Sequence, residues 1–429
     1  MGYWIILLML VLMFLGMPVG FSLGVAGLIG LFLVGGLDSV GSILSTVPFR
    51  TAAHYALSTL PMFILMAHFI AASHIVDDIF NAAQRWLERL PGGLAIATIF
   101  AAAGMAAMSG SSTASAASLS SIAVPQMRKY GYSQRVAAGV VTVAGTLAIM
   151  IPPSIAFVIY GIVTETSIGK LLIAGIIPGI ITAVMYCLGI FLWNKLQPGV
   201  MPPPTRIYSW KDRWVSLKPL WAFIILSTIV IGSMYVGLAT PTEAAAFGAF
   251  GSLILPLALK RMSKAGFTQS ITAAVKVTTM IFTIIIGAMI FGYFLTLTQT
   301  TQNIIKLLAS LSVPPWVIFF QIVVLYLLLG CIMDQIAILL ITLPLTFPLV
   351  TSLGYDPIWY GVIITKLTEI GLITPPVGMN AYVVSATTKI PLDEVFKGTG
   401  VMLCVECISL AILMAFPFLS TYLPSRMAF

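Results

Sequence analysis

The chain has 429 residues, of which 59% are hydrophobic and 8% charged, with a mean hydropathy of +1.07; so little polar surface excludes a water-soluble globule and leaves an all-α polytopic membrane protein, with room for roughly ten spans of about 20 residues. The formal charge of +8 does not imply nucleic acid, because the basic residues lie in short clusters between apolar runs, the pattern of cytoplasmic loops. Four cysteines in apolar surroundings give no disulfide framework, and Cys404 with Cys407, one turn apart in an apolar helix, lack the partners a metal or redox pair requires.

The first apolar run starts at Trp4 with no basic segment before it, so it is read as a retained helix rather than a cleaved signal. Gly16-Met17-Pro18 divides it into 4–16 and 18–35. Residues 38–53 read as a polar connector and 54–74 as a span. Residues 75–90 read as an amphipathic helix in the interface, with apolar side chains at helical spacing opposite Asp77, Arg85, Glu88 and Arg89. Residues 94–125 are apolar but interrupted by Ser109-Gly110-Ser111-Ser112-Thr113-Ala114-Ser115. Unpaired peptide groups are expensive in hydrocarbon, so such a centre must sit inside protein or beside water, and a re-entrant hairpin is predicted. Residues 136–162 contain Pro152-Pro153. Each Pro removes an N–H donor and clashes with the preceding turn, which predicts a broken helix. A span at 171–193 follows.

The one long hydrophilic stretch, 196–218, carries Pro202-Pro203-Pro204 and reads as a cytoplasmic linker. Spans are predicted at 219–237, 240–258 and 277–298, then an interfacial segment at 299–311. A second hairpin at 314–350 breaks around Gly330-Cys331-Ile332-Met333-Asp334-Gln335, a second broken helix at 357–385 contains Pro375-Pro376, and a last span lies near 400–422. Adding 223 carries Pro152-Pro153 onto Pro375-Pro376, Pro18 onto Pro241, Pro91 onto Pro314, Pro125 onto Pro348, Gly131 onto Gly354, Tyr132 onto Tyr355 and Gly175 onto Gly398. One offset serving all of these without a gap indicates an internal duplication, 1–195 and 219–429. Sixteen Lys and Arg residues, Arg128, Lys129, Arg135, Lys260 and Arg261 among them, fall on one side of this arrangement, and Arg50, Lys170, Lys306 and Arg426 on the other. The positive-inside rule makes the first side cytoplasmic and both termini periplasmic, so the hairpins open to opposite faces as an inverted repeat.

A hairpin and a broken helix in each half bring helix ends to the bilayer midplane, where N–H groups can hold an anion and unwound carbonyls and hydroxyls can hold Na⁺. The candidate substrate residues are Ser112, Thr113, Ser115, Asp334 and Asn380. One candidate Na⁺ site comprises Ser109, Gly110, Ser111, Ser112, Gly145 and Pro152, and the second Gly330, Asp334, Gly371, Thr374 and Gly378. The Ser/Thr cluster is denser than one helix-packing face needs, and Asp334 is an ionisable residue at midplane depth. Lys366 and Glu369 are three apart on one helix and read as a neutralising pair. Glu243 after Thr240-Pro241-Thr242 reads as a helix cap, and His54, His68 and His74 share no ligand spacing.

Ser109-Gly-Ser-Ser-Thr-Ala-Ser, Ile151-Pro-Pro-Ser154, Thr240-Pro-Thr-Glu-Ala-Ala-Ala246 and Ile373-Thr-Pro-Pro-Val-Gly-Met-Asn380 together resemble the large membrane subunit of the tripartite ATP-independent periplasmic (TRAP) transporters, the DctM-like family, over essentially the whole chain. The resemblance, which extends to the sialic-acid branch, implies an inverted-repeat elevator-type transporter in the bacterial inner membrane. It would import an organic acid such as sialic acid, another sugar acid or a C4-dicarboxylate, driven by Na⁺. The implied partners are a separate small (Q-type) membrane subunit and a periplasmic (P-type) substrate-binding protein. The moving body would comprise about 94–195 plus 314–425, and the scaffold about 1–90 plus 219–311. An ion channel, or a stand-alone dicarboxylate/Na⁺ symporter, stays open as an alternative. A hydrolase using a serine of the 109–115 cluster is disfavoured because none of those serines sits in a Gly-x-Ser-x-Gly elbow and no His is placed by sequence as its base, and a primary pump because no phosphate-binding loop is present.

Overall fold

The computed structural model describes residues 2–203, 208–310 and 313–427, without the side chains of 307–310. Among these residues six helices are long and apolar enough to cross a bilayer, and two further pairs qualify together across bends of 63° and 41°. Large apolar side chains on their outer faces, such as Ile180, Val184, Leu188, Phe250 and Ile254, are exposed. Such a surface belongs against lipid.

The predicted breaks are where the helices end. The first hairpin is Gly93–Ser109 and Ser112–Lys129, the second Pro315–Gly330 and Gln335–Ser352. The first broken helix runs Gln134–Ala144, Leu147–Met150 and then Ile155–Thr164, the second Pro357–Ile373 and Met379–Thr388. Pro152-Pro153 and Pro375-Pro376 are both cis. The shift of 223 carries Ser112–Lys129 onto Gln335–Ser352, and 134–150 onto Pro357–Ile373. Around these elements a crossing of Val19–Ala52 with Lys264–Leu297 and a pairing of Thr59–Ala71 with Pro241–Ala258 form a second group of packed helices. At that crossing the chains touch backbone to backbone, since a Cβ on Gly287 would lie 2.1 Å from the Gly20 carbonyl oxygen. Small residues at helix contacts in membranes serve this close approach.

Polar sequence is more helical than hydropathy implies. Residues 38–53 are not a connector: Val19–Ala52 is helical but for Gly36, whose φ of 65° and ψ of −162° kink it. Ser45 and Thr46 give their hydroxyls to the Ser42 carbonyl, at 3.0 and 2.7 Å, and so need no water. The span predicted from 277 starts at Lys264, where Ser263 accepts the Gly266 N–H at 3.0 Å. The linker contains the helix Trp210–Leu217, opened by a reciprocal Ser209/Asp212 capping box. Its Trp210 and Trp214 meet Trp86 edge-on, and Trp86 donates to the Arg213 carbonyl at 3.1 Å. Residues 204–207, including Pro204, and Leu311 lie outside the described residues. The last span begins at Leu392, not near 400, and ends at Ala415. The two segments expected in the interface are helical: Ile75–Leu87 buries Ile75, Val76, Ile79 and Phe80 and pairs Asp78 with Arg261, and Thr300–Ser310 is its helix in the second half.

Candidate functional site

Both hairpin tips line one cavity of about 400 Å³. The first tip contributes Ser109, Gly110, Ser111, Ser112 and Thr113, and the second Asp334 and Gln335. The far wall is His68 with its neighbours on Thr59–Ala71, and Val277, Met280 and Ile281 on Lys264–Leu297. The cavity therefore lies where the hairpins face the other group of helices.

The first tip turns at Gly110, whose φ of +62° suits a residue without a side chain. There is no room for one either, because a Cβ would sit 2.7 Å from the Pro153 carbonyl oxygen. This contact seats the tip on the Pro-Pro break, and the Ile155 N–H points to the Gly110 carbonyl at 3.5 Å. Gly145 is the matching close approach on the other side of the break: a Cβ there would meet Ala116 and, at 3.1 Å, the Ser112 carbonyl. Ser109 and Ser115 hydroxyls are bonded at 2.7 Å, and Ser111 caps the second arm by accepting the Ala114 N–H at 3.4 Å. The second tip repeats the plan. Val377 donates from just past the prolines to the Cys331 carbonyl at 3.2 Å. Gly330 and Gly371 cross so closely that a Cβ on Gly371 would lie 2.3 Å from the Gly330 Cα. Asp334 caps its arm by accepting the Ile336 N–H at 3.0 Å. Under the shift of 223 Asp334 is the counterpart of Ser111, so the same backbone position is a hydroxyl cap in one half and a carboxylate cap in the other.

The sequence-derived candidates divide by place. Ser109, Gly110, Ser111, Ser112, Thr113 and Asp334 line the cavity, whereas Ser115, Gly145, Pro152, Gly330, Gly371, Thr374, Gly378 and Asn380 are not among its lining residues. Ser115 and Asn380 are fully buried behind the wall. Asn380 donates to Ser112 Oγ at 2.6 Å and points to the Thr142 carbonyl at 3.5 Å, joining the second broken helix to the first tip. Its Oδ1 is buried without a hydrogen-bond partner. Thr374 gives its hydroxyl to the Ile370 carbonyl at 2.5 Å, and Gly378 opens the last segment at φ +56°.

Gln335 was not among the candidates. Gln335 lines the cavity, and its Nε2 is buried with no hydrogen-bond partner. The signal was present, since Gln335 follows the capping Asp334 at a helix start where donors face outward. Two helix N-termini and a free amide donor suit an anion, while the hydroxyl and carbonyl oxygens of the tips are the hard donors a small cation takes. His68, which shares no ligand spacing with the other histidines, also lines the cavity. Glu243 does cap its helix: its carboxylate accepts the Thr240 N–H at 2.8 Å and Thr240 Oγ1 accepts the Glu243 N–H at 3.3 Å.

Residues 6–419 match the family model for the tripartite ATP-independent periplasmic transporter, DctM component. The chain belongs to that family. It is 37% identical to the C4-dicarboxylate TRAP transporter large permease protein DctM of Pseudomonas aeruginosa over 405 residues, 94% of both chains. It is 31% identical to the sialic acid TRAP transporter large permease protein SiaM of Vibrio cholerae over 416 residues, 96% of both. It is also 31% identical to the 2,3-diketo-L-gulonate TRAP transporter large permease protein YiaN of Escherichia coli, covering 90% of this chain and 89% of that one. Among solved structures it shares the fold of the Alcanivorax borkumensis YdaH transporter, with a TM-score of 0.63, 13% identity and 90% and 88% coverage. As a DctM-family chain it is a multi-pass transporter permease and not an enzyme.

Proposed function

We propose that this DctM-family permease is a Na⁺-coupled secondary importer of a small organic acid in the bacterial inner membrane. It receives substrate from a soluble periplasmic binding protein and works with a separate small membrane subunit. The observation that carries the reading is that both hairpin tips, one rich in hydroxyls and one bearing Asp334 and the unpartnered Gln335 amide, line the same cavity of about 400 Å³. A substrate carboxylate would take the Gln335 amide and the helix N-termini at Ser112 and Gln335. Na⁺ would take oxygens at each tip where it meets its Pro-Pro break, one ion beside Ser109 to Ser112 and Gly145, the other beside Asp334 and Thr374. One charged tip and one neutral tip allow ions and an anion to share the cavity with partial charge compensation.

The hairpins and broken helices, about 94–195 and 314–425, form the moving body in this reading. The helices at about 1–90 and 219–311 form the frame, with both termini periplasmic. The cavity lies on the seam between them, so sliding one past the other would change which face it opens to. For substrate, the C4-dicarboxylate relative at 37% identity ranks ahead of the sialic-acid and diketogulonate relatives at 31%. The test is uptake into proteoliposomes holding the chain and a small subunit, with C4-dicarboxylate, sialic acid and 2,3-diketo-L-gulonate each supplied with a cognate binding protein. Uptake should require both Na⁺ and the binding protein. Equal uptake with K⁺ replacing Na⁺, or with free substrate alone, would overturn the reading.

A further inference from the structure

A second cavity, of about 770 Å³, lies on the same seam as the one between the tips. Arg50, Thr51 and His54 line it from the frame side, and Gly161, Glu165 and Lys170 from the side of the hairpins and broken helices. Its size is that of a small-molecule site. The two cavities share the helix Ile155–Thr164, whose Ile155 and Ala156 line the first and whose Gly161 and Ile162 line the second. With a rise of about 1.5 Å per residue, Ala156 and Ile162 are about 9 Å apart along that helix. The frame walls are also related: His54 and Leu57 here are the counterparts, under the shift of 223, of Val277 and Met280 at the tips. One stretch of duplicated wall is thus apolar beside the tips and carries an imidazole next to a cation here.

The charge of this cavity is unusual for its side of the membrane. Only four Lys and Arg residues fall on the side read as periplasmic; Arg50 and Lys170 line the cavity, and Arg426 precedes Met427, which lines it too. Arg50 lies in the last turn of Val19–Ala52 and Lys170 in Ile168–Ala174, so the two cations approach from opposite sides of the seam. Among the described residues neither makes an ion pair. Glu165 is the one acidic residue of the lining. Two cations against one carboxylate leave the lining net positive, and a concave space of one sign focuses the field and draws counter-charged solutes.

We propose that Arg50 and Lys170 form a receiving site for a small carboxylate at the periplasmic mouth of the seam, occupied before the acid passes along Ile155–Thr164 to the tips. The inference rests on the importer reading for its ligand class and its direction. The carboxylate takes the guanidinium through a two-bond fork and the ammonium as a point charge. Arg50 belongs to the frame and Lys170 to the moving body, so sliding parts the pair and loosens its hold on the acid.

The test is photolabelling of the purified full-length chain with a benzoate that carries a trifluoromethyl-diazirine group, in potassium buffer without Na⁺ or binding protein, with the labelled peptides identified by mass spectrometry. Label should enter residues 47–57 and 161–170, and potassium succinate should suppress it more than potassium chloride of equal ionic strength. Arg50→Gln and Lys170→Gln should each lower it about tenfold, the low end of electrostatic focusing. Arg50→Lys and Lys170→Arg should restore most of it, and the uncharged benzyl alcohol form of the probe should label every variant as it labels the parent. Equal benzoate labelling of parent and Gln variants, or suppression by chloride as strong as by succinate, would overturn the proposal. So would protection of these peptides by a binding protein where succinate gives none, because the pair would then serve protein docking. The labelling needs neither Na⁺ nor uptake, so a permease without Na⁺ coupling would still show it, and the two failures are told apart.

Discussion

The crossing of Gly371 with Gly330 gives a test in which two effects have opposite sign. In an exposed helix Ala is more favourable than Gly by about 1 kcal/mol, so propensity alone predicts that Gly371→Ala stabilises. A Cβ at this position would, however, lie 2.3 Å from the Gly330 Cα and 2.4 Å from its carbonyl carbon. Carbon atoms pack at about 3.5–4.0 Å, so the tip and the broken helix must part by more than about 1 Å, and neither atom is the end of a side chain that could swing away. Overpacking of this kind costs about 1–3 kcal/mol or more, and the net expectation is a loss of about 1–2 kcal/mol. Gly400→Ala is the control, because it lies inside Leu392–Ala415 and a Cβ there has nothing within 4 Å; it should gain up to about 1 kcal/mol. Thermal unfolding of both purified variants beside the parent reads the sign, and uptake reads the consequence at the tip. If Gly371→Ala melts with Gly400→Ala, above the parent, the close crossing does not exist and the packing of the second tip argued here is wrong.

The remaining expectations concern the cavity. Asp334→Asn keeps an oxygen to accept the Ile336 N–H, and Asn caps helices as well as Asp, so the fold should melt within about 1 kcal/mol of the parent while Na⁺-driven uptake collapses; full uptake in that variant reduces Asp334 to a cap. Ser111→Ala removes the acceptor of the Ala114 N–H and should cost about 1 kcal/mol of stability besides raising the Na⁺ concentration for half-maximal uptake, which a Na⁺ titration of transport checks. Asn380→Ala leaves Ser112 Oγ without its buried donor and should lower the melting midpoint by the equivalent of about 1–3 kcal/mol, whereas a surface-like change of under 0.5 kcal/mol would refute the link between the halves. A Cβ on Gly104 would lie 2.9 Å from Ile79 Cγ2, within disulfide reach, so a Gly104→Cys, Ile79→Cys pair joins the first hairpin to the adjoining amphipathic helix. Its oxidation should stop uptake and reductant restore it; undiminished uptake with the bond fully formed excludes sliding of that hairpin against the helix.

The breaks were legible because their causes are local. Paired prolines cannot continue a helix whatever surrounds them, and the hairpin expected at 94–125 is found as Gly93–Ser109 and Ser112–Lys129. The polar ends of helices were not legible from hydropathy, because apolar character says where lipid is and capping chemistry says where a helix starts. Ser263 before Lys264, and the Ser209/Asp212 box before Trp210, are the start signals, and each precedes a stretch that hydropathy assigned to a loop. Lys366 and Glu369 read as a self-neutralising pair because both lie on one helix. Glu406, 37 residues later on another helix, contributes the shorter of the two ion-pair contacts and changes the sum of charges.

What the repeat conveys about the site, and what it withholds, follows from the division between backbone and side chain. The duplication carries over the geometry: each tip reaches its own Pro-Pro break through a backbone hydrogen bond, Ile155 to Gly110 in one half and Val377 to Cys331 in the other. Side chains at matching positions have diverged, with Ser111 opposite Asp334 and Ser112 opposite Gln335 under the shift of 223. A site built from two identical halves would offer the same donors twice and favour one kind of ligand. Here one tip offers hydroxyls, and the other a carboxylate and an unpartnered amide to the same cavity. Asn380, whose counterpart is Phe157, then ties the charged half to Ser112 of the neutral one. No local pattern reveals that tie, because it depends on how the two halves dock. It is also the contact through which an ion at one tip would be felt at the other, which makes the Asn380–Ser112 bond the place where coupling between the two tips should be most sensitive to substitution.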